Sequence, residues 1–167
     1  MKEKRQFFNS NCEPTGKYYY KGDKFPPDCF AIVVMIAIQN SNGDFMMQQR
    51  AEGKSCPHEW TVTGGHPTFD ETNLQGIVRE VQEELGLDIS SCKIDSFWKG
   101  FDGRVCREMY FTKLDVNLSD LVLQEEEVED VAWFSRDKII SLMQSQQIIP
   151  NQIDFYNKFF EWEKTQK

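Results

Sequence analysis

The sequence predicts a single α/β domain in which a mixed β-sheet is covered by helices on both sides. Apolar, β-branched runs separated by turn residues predict strands, and apolar residues that share one helical face predict an amphipathic helix. Strands and helices are interspersed along the chain, which is typical of a layered α/β fold. With 167 residues, of which 40% are hydrophobic, the chain is long enough for one substantial core and too short to favour two. The predicted domain therefore covers residues 1–167.

The N-terminal segment carries mixed signals. Residues 1–29 combine charged side chains, three consecutive tyrosines at positions 18–20, and the pair Pro26-Pro27. This composition predicts an irregular or edge-strand lead-in rather than a helix.

Two strands joined by a tight turn are predicted next. Residues 30–38 read FAIVVMIAI, an apolar, β-branched run that is typical of a strand buried on both faces. Asn42 and Gly43 favour a two-residue turn, and residues 45–49 then predict the partner strand. After a loop, residues 60–63 predict a short strand, which ends where Gly64-Gly65 allows the chain to turn sharply.

An amphipathic helix is predicted between Thr72 and Leu85. Thr72 and Gln75 have the spacing of a capping box, and Gly86 provides a C-terminal stop. Five apolar residues are spaced so that they share one helical face: Leu74, Ile77, Val78, Val81 and Leu85.

The rest of the chain predicts a second hairpin, another strand and two helices. Asp102 and Gly103 separate two strand-like segments, residues 93–101 and 104–116, and residues 128–134 predict a further strand. Ser135 is a candidate N-cap for the first helix. The second, C-terminal helix is predicted over residues 150–167. Its aromatic side chains either close the core or pair with a second subunit, and the second alternative predicts a homodimer.

Composition and charge exclude several classes of function. The chain has 27 acidic and 19 basic residues and a net charge of -8, which disfavours binding to a nucleic acid polymer or an anionic membrane. Its longest apolar run, residues 29–38, is half of the roughly 20 residues that a membrane-spanning helix requires. The N-terminus lacks the apolar segment of a signal peptide, so a cytoplasmic protein is expected. Five scattered cysteines without a Cys-x-x-Cys pair predict reduced thiols rather than disulfides or a zinc site.

Three carboxylates on the predicted helix point to a metal ion. Glu80, Glu83 and Glu84 are at positions i, i+3 and i+4, on the face opposite the apolar residues. Like charges at this spacing destabilise a helix by roughly 0.2–0.5 kcal/mol per pair, unless a cation neutralises them. Oxygen ligands suit Mg²⁺ or Mn²⁺, and Mg²⁺ commonly shares its coordination sites with substrate phosphates. The alternative for an isolated cluster of this kind is a solvated acidic face.

The residues around this cluster resemble a known signature. Residues 65–87, GHPTFDETNLQGIVREVQEELGL, resemble the Nudix box, and the similarity to bacterial Nudix proteins extends over residues 14–145. The resemblance implies a Nudix-type α/β/α sandwich and a Mg²⁺-dependent hydrolase. Its expected substrate is a small-molecule diphosphate, either a nucleoside diphosphate linked to another group or a nucleoside triphosphate. Every fixed position of the box is present: Gly65, Glu71, Arg79, Glu80, Glu83, Glu84 and Gly86.

The resemblance also implies roles for these residues. Arg79 would orient carboxylates by pairing with Glu71, for which its planar guanidinium is well suited. The general base would come from the box helix or from a later loop, where Glu127 is the candidate and a solvated acidic run is the alternative. The metal ligands would be Glu80, Glu83, Glu84 and the carbonyl oxygen of Gly65.

Arg50 and Trp60 are candidates for substrate binding outside the box. Arg50 would meet phosphates, or it is simply exposed, whereas Trp60 would stack on a base or pack in the core.

Two other functions are weighed against hydrolysis. Residues 60–67 resemble the segment that carries the catalytic cysteine of isopentenyl-diphosphate isomerase, but Gly64 and Gly65 occupy that place and Cys56 lies too early. A Nudix-fold sensor that binds a nucleotide without cleaving it is the second alternative. The intact box favours catalysis.

Overall fold

A mixed sheet forms the centre of the computed structural model, which describes residues 2–166. Its middle strand, Ile32–Gln39, is buried along nearly its whole length. This strand pairs in parallel with the strand Cys106–Lys113, so that Ile32 lies opposite Cys106 and Gln39 lies opposite Lys113. The other pairings in this sheet are antiparallel. The strands are β1 (Lys4–Phe8), β2 (Pro14–Tyr20), β3 (Ile32–Gln39), β4 (Phe45–Arg50), β5 (Trp60–Thr61), β6 (Thr63–Gly65), β7 (Ile94–Phe101), β8 (Cys106–Lys113) and β9 (Val128–Phe134).

Helices cover both faces of this sheet, so the predicted α/β/α fold class is confirmed. Side chains alternate between the two faces of a strand. Val34, Ile36 and Ile38 of β3 accordingly pack in the apolar layer under α1 (Asn73–Leu85). Met35 and Ala37 pack in the opposite layer, which is completed by α2 (Arg136–Gln144) and α3 (Pro150–Thr165).

The ends of α1 have the predicted form. The Thr72 hydroxyl accepts a hydrogen bond from the Gln75 amide, and the Gln75 side chain accepts one from the Thr72 amide. Gly86 ends the helix in the left-handed conformation, at φ 65°, where a side chain would be strained. Leu74, in the first turn, is 43% exposed, whereas Ile77, Val81 and Leu85 of the predicted apolar face are fully buried.

The N-terminal segment differs in part from its prediction. β1 and β2 form a separate antiparallel hairpin, so the irregular alternative was wrong for these strands, whereas residues 2–3, 9–13 and 21–29 lack regular structure. Long-range contacts explain the difference, because the backbone of Phe8 exchanges two 2.8 Å hydrogen bonds with Phe30. The amide of Phe69 also donates to the carbonyl of Lys4, and this bond fastens the hairpin to the loop before α1.

The aromatic residues of α3 close the core, which is the first of the two alternatives for this helix. Phe155, Tyr156 and Phe159 are fully buried, and Phe160 and Trp162 pack against the same layer. Among residues 2–166, the structure has no helix with the length and apolar character that crossing a membrane requires.

Replacing Phe159 with alanine is expected to lower the free energy of unfolding by about 3–5 kcal/mol, because it leaves a cavity in this layer. The Phe159 ring centroid lies 5.4 Å from that of Phe45 and 5.0 Å from that of Phe111. Urea denaturation followed by tryptophan fluorescence measures the change. The control is Val122→Ala, since Val122 is 72% exposed and its truncation should cost less than about 0.5 kcal/mol. Equal losses in the two variants would contradict the packing.

Candidate functional site

The three box carboxylates line one cleft with a volume of about 520 Å³. They differ in exposure: the Glu80 side chain is 15% exposed and that of Glu83 is 52% exposed, whereas Glu84 is buried. The remaining walls come from β3 to β6, from the loops after β4 and before β9, from the start of α3 and from the N-terminal segment. Side chains from these elements include Glu3, Arg5, Lys21, Arg50, Lys54, His66, Gln124 and Glu127.

The pair between Arg79 and Glu71 is present, and it joins the loop before α1 to the helix. Arg79 Nε donates to Glu71 Oε1 at 2.8 Å, and Arg79 Nη2 donates to Glu71 Oε2 at 3.2 Å. Arg79 Nη2 also donates to the carbonyl oxygen of His66 at 3.1 Å. Burial opposes ionisation of Glu71, but hydrogen bonds from Arg79 and Thr68 outweigh it and hold the pKa of Glu71 below its usual value. Glu71 is therefore a fixed anion that immobilises Arg79.

Gly65 lies directly against the carboxylate of Glu80. A Cβ atom at position 65 would overlap the carboxyl group of Glu80, so only a glycine allows the backbone this close. Burial raises the pKa of Glu80, and the nearby Arg79 guanidinium opposes this effect. The close approach places the backbone of residue 65 beside a buried carboxylate.

Glu84 is the most deeply buried of the three carboxylates. Its Oε2 accepts a 2.6 Å hydrogen bond from Gln48 Nε2. Burial raises the pKa of Glu84 to about 7; the Gln48 hydrogen bond lowers it, and the charges of Glu80 and Glu127 raise it further. Burial is thus the main reason why the Glu84 carboxyl holds its proton more tightly than an exposed carboxyl does.

The donor set fits a hard divalent cation. Among residues 2–166, no three acidic, histidine or cysteine side chains are arranged as a ready-made metal cage. In the cleft, Arg79 Nη1 instead contacts both Glu80 Oε1, at 3.1 Å, and Glu83 Oε2, at 2.8 Å. Glu80, Glu84 and the adjacent backbone nevertheless offer oxygen atoms alone, which Mg²⁺ accepts while it retains several waters. The buried, mutually repelling carboxylates are what such a cation would neutralise.

Comparison with known proteins identifies the family. Residues 30–159 match the family model of the NUDIX domain. The chain belongs to the Nudix family. It is 34% identical over 165 residues to an uncharacterized Nudix hydrolase of Listeria monocytogenes, and the alignment covers 95% of this chain and 94% of that protein. These similarities make the chain a hydrolase that acts on phosphoric anhydride bonds.

Two further comparisons show how the similarity extends within the Nudix family. The nucleoside triphosphatase NudI of Enterobacter sp. (strain 638) is 29% identical over 123 residues, which cover 66% of this chain and 85% of that protein. A crystal structure from Deinococcus radiodurans superposes with a TM-score of 0.71 at 18% identity and covers 86% of this chain and 90% of that one. At this identity the superposition shows the Nudix fold alone.

The structure brings two predicted residues outside the box to the cleft of this Nudix hydrolase. Glu127 lines the cleft and forms an ion pair with Lys54. Arg50 also lines it, with Nε donating to the carbonyl oxygen of Ser55 at 2.6 Å and Nη2 donating to the Ser55 hydroxyl at 3.0 Å. Ser55 therefore fixes the guanidinium of Arg50 at the wall of the cleft.

Trp60 is not among the described residues that line the cleft, and its position favours the alternative that it packs in the core. Its ring centroid lies 4.9 Å from that of Phe134, at the edge of the layer under α2 and α3. The large apolar surface of an indole explains this position. Cys56 is exposed, and none of the described residues that line the cleft is a cysteine. The thiol that the isomerase alternative requires is thus missing from the cleft.

Sequence reasoning missed several residues of the Nudix cleft. Gln48 lines the cleft, and Thr63 forms a hydrogen bond to Gln48. The signal for Gln48 in the sequence was a polar residue inside a strand that is otherwise largely apolar. Arg5 and Lys21 reach the cleft from the N-terminal hairpin. No local pattern identifies these two residues, because their position depends on how the hairpin docks.

Proposed function

We propose that this Nudix hydrolase is a Mg²⁺-dependent pyrophosphohydrolase, with Mn²⁺ able to replace Mg²⁺. Its substrate would be a small molecule with a diphosphate linkage, either a nucleoside diphosphate linked to another group or a nucleoside triphosphate. The observation that carries this proposal is an open cleft in which Glu84 is buried, Glu80 lies largely buried against the backbone of Gly65, and the charge of Glu80 acts on Glu84. A buried pair of carboxylates is costly unless a cation compensates it.

The cation would be held by Glu80, Glu83, Glu84 and the carbonyl oxygen of Gly65. When bound, a divalent cation neutralises the diphosphate and lowers the pKa of a coordinated water. Glu83 would contribute after exchanging its contact with Arg79 for the cation, which its exposed position permits.

The protein's own residues would orient the substrate and move the proton. Glu71 fixes Arg79, and Arg79 in turn limits the directions that Glu80 and Glu83 adopt. The guanidinium of Arg50 would bind a substrate phosphate, because Ser55 holds it in place without neutralising its charge.

Glu127 would accept the proton of the attacking water, with Glu83 and Glu84 of the box helix as the alternatives. Glu127 lies on the cleft wall and is only about one third exposed. A general base must be within hydrogen-bond reach of the proton that it abstracts, and the position of Glu127 in the cleft lining supports this role. Its partner Lys54 would then be free to meet substrate phosphates.

Similarity to a nucleotide-hydrolysing relative supports a nucleotide as the substrate. NudI, to which this chain is similar, is a nucleoside triphosphatase, which supports a nucleoside triphosphate as one of the two substrate classes. The net charge of -8 makes bridging cations necessary for any anionic substrate.

The proposal is tested with the purified protein and a panel of nucleoside triphosphates, sugar nucleotides and dinucleotides in the presence of Mg²⁺. We expect cleavage of one class into two phosphate-bearing products, loss of cleavage with EDTA, and recovery when Mg²⁺ is restored in excess. Chromatography of the nucleotides and ³¹P NMR identify the products. Metal-dependent binding without cleavage would instead indicate a nucleotide sensor, and conversion of isopentenyl diphosphate would indicate an isomerase.

A further inference from the structure

We propose that Gln48 and Thr63 are positioning residues, which hold the carboxylate of Glu84 in the direction needed for cation binding. The inference rests on the proposed function, because Glu84 is one of the proposed cation ligands. Gln48 lies on β4, Thr63 on β6 and Glu84 on α1. Three separate elements therefore meet in one chain of hydrogen bonds.

This chain of hydrogen bonds has a defined direction. The Thr63 hydroxyl donates to Gln48 Oε1 at 2.7 Å, and Gln48 Nε2 donates to Glu84 Oε2 at 2.6 Å. An amide oxygen only accepts hydrogen bonds and an amide nitrogen only donates them. Rotating the Gln48 amide by half a turn would place its oxygen against the Glu84 carboxylate, so Glu84 requires the observed orientation, in which the Thr63 hydroxyl donates to Gln48 Oε1. Thr63 thus fixes Gln48, and Gln48 fixes Oε2 of Glu84.

Burial makes this arrangement rigid. Thr63 is 5% exposed, and Gln48 and Glu84 are each 6% exposed. Hydrogen bonds are stronger in such surroundings, and an unpaired polar group is more costly there than in water. Apolar side chains of similar size would fill the space without any buried polar atom, so packing alone does not account for Gln48 and Thr63.

The second carboxylate oxygen of Glu84 remains open to the cleft. Within residues 2–166, Glu84 Oε1 accepts no hydrogen bond, whereas every fully buried side-chain oxygen or nitrogen has a partner. Oε1 is consequently not fully buried, and Glu84 lines the cleft. With Oε2 held by Gln48, Oε1 is the atom that Glu84 presents to a cation.

The test measures Mn²⁺ affinity by electron paramagnetic resonance, in which bound and free Mn²⁺ are distinguished without any turnover. Gln48→Met is expected to weaken Mn²⁺ binding by about tenfold, the lower end of what loss of a group supporting a metal ligand costs. Thr63→Val should weaken it by a smaller factor, and Thr63→Ser, which keeps the hydroxyl, should bind as the wild type does. In the Gln48→Met background, Thr63→Val should have almost no further effect, because Thr63 acts through Gln48.

The matched control is Gln49→Met. Gln49 is the next residue on β4, and its side chain donates to the carbonyl oxygen of His58 at 2.9 Å, outside the cleft. We expect this variant to bind Mn²⁺ with wild-type affinity, and circular dichroism and thermal unfolding check that each variant is folded.

The proposal is overturned if folded Gln48→Met binds Mn²⁺ with wild-type affinity. It is also overturned if Thr63→Val weakens Mn²⁺ binding by the same factor in the wild-type protein and in Gln48→Met. If Gln48→Met does not fold, the comparison of Thr63→Val with Thr63→Ser decides, and equal affinities overturn the proposal. Failure of the wild-type protein to bind Mn²⁺ at all would instead overturn the proposed metal-dependent function. The two kinds of failure are therefore distinguishable.

Discussion

Replacing Glu84 with glutamine is expected to lower kcat by about 10³-fold on the substrate class that the wild-type protein cleaves. A cation that polarises a phosphoryl group supplies several kcal/mol of transition-state stabilisation, and a loss of about 4 kcal/mol corresponds to this factor. Glutamine has nearly the same volume, and its oxygen can still accept the hydrogen bond from Gln48. Steady-state kinetics with saturating Mg²⁺ measure the loss.

The same substitution is expected to raise the stability of the metal-free protein at alkaline pH. Burial raises the pKa of Glu84 from about 4.5 to about 7, so the folded state binds this proton more tightly than the unfolded chain does. The resulting stabilisation is complete below pH 4.5 and is lost as the pH rises through 7. Glutamine does not titrate, and the advantage of the variant in free energy of unfolding should therefore grow between pH 5 and pH 8.

Glu126→Gln is the control for both the loss of kcat and the change in stability. Glu126 is exposed and lies next to Glu127, but it does not line the cleft. Its replacement removes the same charge from the chain and should leave kcat within about twofold. An equal loss of activity in the two variants would show that net charge, and not the position of Glu84, is responsible. Urea denaturation in EDTA at pH 5 and pH 8 tests the stability trend, and a trend of the opposite sign would contradict it.

Replacing Gly65 with alanine is expected to lower kcat by about 10²-fold. The new methyl group would overlap the carboxyl group of Glu80, so the carboxylate or the backbone has to shift. A displacement of about 1 Å in a reacting group can cost this factor. Affinity for Mn²⁺ should fall as well, because both proposed ligands at this point move.

Gly53→Ala serves as the control for this experiment. Gly53 lies in the loop after β4, and a Cβ atom there would meet no atom within 4 Å. The same chemical change should therefore leave kcat and Mn²⁺ affinity unaltered. Wild-type activity in Gly65→Ala would contradict the expectation that catalysis requires the close approach of residue 65 to the Glu80 carboxylate.

The sequence predicted best those features that depend on neighbours in the chain. The capping box at Thr72 and Gln75 and the stop at Gly86 are local, and all are present. The pair between Arg79 and Glu71 also spans only eight residues. Local spacing was sufficient in these cases because each feature involves one helix and the residues that directly flank it.

Features that depend on distant segments were predicted less well. The β1–β2 hairpin is held by Phe30 and Phe69, and neither contact leaves a signal in residues 1–29. Trp60 had two plausible environments, and the decision between them came from Phe134, which lies far along the chain. Gln48 reaches Glu84 across 36 positions. Such pairings follow from the order of strands in the sheet, which periodicity does not reveal.

The docking of the N-terminal hairpin affects how substrates can be inferred within the family. Glu3, Arg5 and Lys21 line the cleft, yet all three precede residue 30, where the match to the NUDIX domain begins. A comparison confined to residues 30–159 would align the proposed metal ligands and omit three charged groups that line the cleft. Two Nudix proteins with identical boxes can therefore differ in selectivity through a segment that lies outside the shared region.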